Sequence, residues 1–75
     1  MAKNSRHVVA TRDGGWGVRR YGSARSGKVF RTQADAVSYA TDVARRERTE
    51  LYVHQRDGSI QQKINFGVDA GSQPR

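Results

Sequence analysis

Seventy-five residues, 35% of them hydrophobic and none of them cysteine, allow one domain with a thin core and exclude disulfides and thiolate metal sites. No apolar run approaches the roughly 18 residues needed to span a bilayer, and the basic start Met1 to Arg6 has no apolar stretch behind it. This reads against a signal peptide or a membrane partner and for a cytoplasmic protein.

Residues 1–6 are polar and read as a flexible N-terminus. His7 to Thr11 (HVVAT) is short and β-branched, which predicts a strand. Arg12-Asp13-Gly14-Gly15 follows, and Asp-Gly is the signal of a two-residue hairpin turn because it tolerates positive φ. Trp16 to Tyr21 (WGVRRY) predicts the returning strand, Gly22 to Gly27 a flexible turn, and Lys28 to Arg31 (KVFR) a third strand. Thr32 is placed to cap the single helix, with Asp35 three residues on in the manner of a capping box. Ala36, Val37, Ala40, Val43 and Ala44 then share one helical face, and their small size implies close approach to a sheet. Leu51 to His54 (LYVH) is the next strand, Asp57-Gly58 the next hairpin turn, and Ser59 to Phe66 the last strand, with Ile60 and Ile64 facing inward. Residues 67–75 carry two glycines and the only proline and read as a disordered tail.

The elements add up to a single α+β domain over residues 7–66: a small antiparallel sheet in the order β-β-β-α-β-β with one helix on one face. Trp16, Val18, Phe30, Val37, Ala40, Val43, Ala44, Leu51 and Val53 are the expected core. The stretches Val9 to Trp16 and Val53 to Ile60 echo each other at an offset of 44, each with valine followed by Arg-Asp-Gly. Two hairpins solving the same turn problem converge on Asp-Gly, and convergence is favoured over duplication.

Catalysis finds little support. The two histidines, His7 and His54, both lie on predicted strands, and with Asp57 they would make a two-histidine, one-carboxylate metal set only if their strands pair on one side. Surface histidines are far commoner than ligands, so neither a metal nor a cofactor is expected, and the chain reads as a binding module rather than an enzyme. Gly14-Gly15-Trp16-Gly17 opens a strand, not a helix, so it is a hairpin and not a phosphate cradle.

Charge and strand parity carry more. Fourteen Lys and Arg against seven Asp and Glu leave a net charge of +7, and eleven of the fourteen are arginines. Guanidinium is a planar fork suited to phosphate and base edges, so the bias points to a polyanion. Side chains on a strand alternate faces. With Trp16, Val18, Phe30, Leu51 and Val53 turned inward, the opposite face would show Arg19, Tyr21, Arg31, Tyr52 and His54. Arginine interleaved with aromatics is a surface that nucleic-acid binders use, cations for phosphate and rings for stacking. A second basic patch, Arg45, Arg46 and Arg48, sits in the last helical turn, where complementing the helix dipole explains it equally well. The favoured reading is non-specific nucleic-acid binding through the sheet face. The alternative is a protein-interaction module, including a homodimer.

His7-Val8-Val9, Gly15-Trp16-Gly17-Val18, Thr32-Gln33, the helix alanines Ala36, Ala40 and Ala44, Val53-His54 and Arg56-Asp57-Gly58 form a set. On these residues the chain resembles a family of short bacterial and phage-associated proteins known as a domain of unknown function, the twenty-one-eighty-eight family. Where that pattern often has glycine after the second histidine, this chain has Gln55. The resemblance implies a compact α+β fold and brings no activity, cofactor or site residues with it.

Overall fold

The structure, a computed structural model, describes residues 5–23 and 27–67. Expectations for residues 1–4, for 24–26 within the glycine-flanked turn and for the tail from residue 68 lie outside the described residues. The elements run β1 (Arg6–Ala10), β2 (Trp16–Arg20), β3 (Lys28–Phe30), α1 (Gln33–Glu47), β4 (Glu50–His54) and β5 (Ile60–Asn65), in the expected order. β1 begins at Arg6, and Ser5 before it is fully buried, its carbonyl accepting the Tyr21 N–H at 2.8 Å.

The strands form one sheet in the order β3-β2-β1-β4-β5. Three pairings are antiparallel, as expected throughout. The central one, β1 with β4, is parallel, so the sheet is mixed. β1 and β4, at the sheet centre, bury His7-Val8 and Leu51-Tyr52-Val53, as covered parallel strands do, and antiparallel β2 beside them buries Trp16-Gly17-Val18. The intervening α1 supplies the crossover that a parallel pair requires.

Both hairpins use one turn, and it is not the two-residue loop expected. Gly14 N–H reaches the Thr11 carbonyl at 3.3 Å and Thr11 N–H reaches that of Gly15 at 2.9 Å; Gly58 to Gln55 (2.8 Å) and Gln55 to Ser59 (2.7 Å) repeat the pattern. Gly14 and Gly58 both have φ of 94°, whereas neither aspartate has positive φ. A two-residue type I′ loop needs positive φ at both positions, so the glycine here is the left-handed residue closing a three-residue loop. The echo stops at the turn. Trp16 packs in the core, while its counterpart Ile60 pairs with His54 on the other face and is exposed, contrary to the inward orientation expected of it. This opposition of faces favours convergence.

α1 starts where Thr32, in extended conformation, accepts the Asp35 N–H on its hydroxyl at 3.1 Å. It ends at Arg48, the one non-glycine residue with positive φ (55°) among those described, whose N–H bonds back to Ala44 and Arg45. Ala36, Ala40 and Ala44 are fully buried and let the helix lie close against Val8, Trp16, Val18, Leu51 and Val53. Phe30, Val37, Ile64 and Phe66 pack around this centre half-buried. Val43, expected in the core, is half-buried at the lip of a basic depression. One sheet face is thus consumed by the helix, and the other carries none.

Candidate functional site

The parallel β1–β4 pair sets His7 level with Tyr52; its neighbours on either side set Arg19 against His7 and Lys63 against Tyr52. A row Arg19–His7–Tyr52–Lys63 therefore crosses four strands on the face opposite α1. The His7 and Tyr52 rings stack 4.8 Å apart at 8°, and Lys63 Nζ sits 5.6 Å from the Tyr52 centroid. These neighbours close over the rings: Tyr52 is 4% exposed and His7 9%. The Tyr52 hydroxyl donates to Glu50 Oε1 at 2.8 Å. That bond to the carboxylate raises the phenol above its usual range, burial adds to it, and Lys63 opposes it.

The histidines meet directly, with Nδ1 of His7 3.0 Å from Nε2 of His54. His54 Nδ1 lies 3.1 Å from the Gly58 carbonyl, and His7 Nε2 lies 3.3 Å from the buried Ser5 hydroxyl. A carbonyl only accepts, so His54 carries its hydrogen on Nδ1. When both rings are neutral, His54 Nε2 must then accept from His7 Nδ1, and His7 Nε2 accepts from Ser5. One fixed end thus assigns both tautomers. His7 is held below its usual pKa of 6.5, first by burial, then by the charges of His54 and Arg19, with Glu50 opposing. Gln33 at the start of α1 ties the end of β4 in place, donating to the His54 carbonyl at 3.2 Å and to Gln61 Oε1 at 3.1 Å.

Of the face expected from parity, Arg19, Tyr21, Tyr52 and His54 come together and Arg31 does not. Arg31 follows β3 and lines a separate depression with Asp13, Gly14, Gly15, Val29 and Phe30. Tyr52 lies on the expected face, but its ring is covered and offers no surface for stacking a base. The helix-end arginines lie at the far end of α1 and are exposed. Arg46 pairs with Asp42, Arg45 lies 5.7 Å over the Phe66 ring, and Arg48 forms the helix terminus. Asp57 does not join the histidines. It accepts from the Ser59 N–H and hydroxyl at 3.0 and 2.7 Å, and these bonds hold its carboxyl below the usual range. Among the described residues no group of three His, Asp or Glu stands ready for a metal.

Four residues of this face escaped the sequence reading: His7 as its centre, Lys63, Glu50 and Ser5. The alternation around Val8 was the signal for His7, since a buried Val8 turns His7 the other way.

Two shallow depressions flank the end of β2. One, about 450 Å³ on the helix-free face, is lined by His7, Arg19, Arg20, Tyr21, Gly22, Ser23 and His54. The other, about 480 Å³ toward α1, again includes Arg19, Arg20 and Ser23, now with Arg6, Lys28, Tyr39 and Arg46. Arg6 is occupied there by Glu47 at 2.7 Å. Arg19 and Arg20 form no ion pair among the described residues.

Fold and site together define a small basic α+β domain whose mixed sheet keeps one face free of helix. Within that class the chain belongs to the DUF2188 family, described as an uncharacterized protein conserved in bacteria, whose model matches residues 6–66. It is similar to the uncharacterized protein YdaT of Bacillus subtilis (strain 168), with 33% identity over 67 residues. That match covers 89% of this chain and 44% of the relative, so the chain spans less than half the relative's length. No solved structure matches it.

Proposed function

We propose that this domain is a non-catalytic nucleic-acid-binding module with little sequence preference, contacting phosphates through the arginines at the end of β2. The observation that carries this reading is the depression where Arg19 and Arg20, without carboxylate partners, stand beside Tyr21, which is 50% exposed. Guanidinium for phosphate and an exposed ring for a base are the two parts such a surface needs. Tyr52 supports the site from below, holding His7 in place, and is not itself a contact.

Each neutralised phosphate releases counterions, so affinity should fall with salt at a log–log slope near −0.9 per duplex contact. Three to five contacts predict roughly −2.7 to −4.5. The test is a titration with labelled oligonucleotides at two salt concentrations. Arg19→Ala and Arg20→Ala should each flatten the slope by about one unit while the thermal midpoint stays put. Undetectable binding at low salt and tens of micromolar protein would end this reading. The second reading, a protein-interaction module, draws on Val29 and Ile60, both exposed on the edge strands β3 and β5. It would then lead, and a concentration-dependent mass in light scattering would mark its homodimeric form.

A further inference from the structure

The two depressions are not independent. Arg19, Arg20 and Ser23 line both, and successive strand residues leave opposite faces of the sheet, so the two arginines straddle one ridge. Each depression also holds one exposed tyrosine. Tyr21 is on the helix-free side, and Tyr39, 39% exposed on α1, is on the other. Tyr39 backs onto Phe30, ring centroids 5.4 Å apart, and Lys28 Nζ lies 5.5 Å from its centroid. Arg6 and Arg46 also border the α1 side, but Glu47 and Asp42 hold them. Among the described residues lining the two depressions, the cations left without a carboxylate partner are therefore Arg19, Arg20 and Lys28, with a tyrosine at either end.

Resting on the nucleic-acid reading above, we propose that the ligand is a single strand that crosses the β2 ridge, phosphates on Arg19, Arg20 and Lys28, one base against Tyr21 and another against Tyr39. A duplex does not fit this path. Its persistence length is about 150 base pairs, so it does not turn over a sheet end within a few steps, and its stacked bases offer no face to a tyrosine. A single strand bends freely and presents a π-face at each base. Phosphate contact alone would not select between the two; the paired rings on opposite sides do.

The test is fluorescence anisotropy with a labelled single strand of about a dozen nucleotides, the same sequence as a duplex, and an abasic strand of equal length. The intact single strand should bind at least about tenfold tighter than either of the others, and removing one ring should weaken it roughly five- to a hundredfold. Tyr21→Ala and Tyr39→Ala should each do so while leaving duplex binding unchanged. Because Tyr39 packs on Phe30, Tyr39→Leu serves as the variant that keeps apolar contact and loses the stacking face, and Tyr39→Phe should restore binding. Equal or tighter duplex binding, abasic binding equal to the intact strand, or an unaltered Tyr39→Leu would overturn this inference and leave nucleic-acid binding standing. Failure of all three probes to bind at low salt would overturn both.

Discussion

Replacing Trp16 by alanine tests how the core is built. Trp16 is 8% exposed, pairs with Ala10 and Phe30 in the sheet and packs under α1, with the Arg56 guanidinium 4.7 Å over its ring. A buried tryptophan removes about 250 Å² from water, which at about 25 cal/mol per Å² is roughly 6 kcal/mol. A compact denatured state already hides about 10–40% of that surface, bringing the figure to about 4–5. Measured truncations of large core aromatics give about 3–5 kcal/mol. A chain of 75 residues at roughly 0.05–0.15 kcal/mol each has about 4–11 in total. Trp16→Ala should therefore lower the thermal midpoint by roughly 12–40 °C or leave the chain unfolded at room temperature. Thermal melts followed by circular dichroism read this directly. Arg56→Ala removes the cation over the ring, with its bond to the Gly14 carbonyl, and should cost only about 0.5–1 kcal/mol from the ring contact. A Trp16→Ala variant melting at the parent temperature would refute the core described here.

Two further outcomes follow from the histidine chain and the backbone. His7 has a folded pKa below its ordinary 6.5, so the unfolded chain binds more protons as pH falls. Its contribution is therefore complete above that value and is lost as pH drops through 6.5 toward the folded pKa. The urea midpoint should fall between pH 7.5 and 5.5, less so in His7→Gln; a parent midpoint flat over that range would contradict it. Arg48 holds φ of 55° and Gly58 φ of 94°. Arg48→Gly should stabilise by about 0.5–1 kcal/mol and Gly58→Ala destabilise by about 1–2, and chemical melts showing the reverse order would remove the backbone argument.

The local elements were legible because their causes are local: the Asp-Gly turns, Thr32 before the helix, the alanines at helical spacing. Parity also placed Tyr52 and His54 on the helix-free face. What the sequence withheld depends on which strands become neighbours. Only the pairing of β1 with β4 brings His7 onto Tyr52 and His54, and no spacing along the chain encodes that. Tyr52 alternates like an exposed residue and is covered because Lys63, Glu50 and His7 converge on it from three strands. Arg31 lies past the end of β3, where the row does not extend. Of the helix-end arginines, Arg46 reaches Asp42 at an i,i+4 spacing the sequence already displays, whereas the approach of Arg45 to Phe66 appears only once the chain beyond β5 is in place.

The central parallel ladder also sets the order in which the chain can assemble. Each hairpin closes over a three-residue loop, a contact that forms in microseconds. Joining Arg6 to Leu51 instead closes a loop of about 45 residues, an entropic cost of about 3 kcal/mol before any apolar contact offsets it. The sheet is therefore two fast local units and one slow seam. Until that seam shuts, each unit bares an apolar inner edge, Val8 on one and Leu51 and Val53 on the other, and each edge is complementary to the opposite unit's edge on a second chain. The seam that brings the histidines together is thus also the place where two copies could exchange halves.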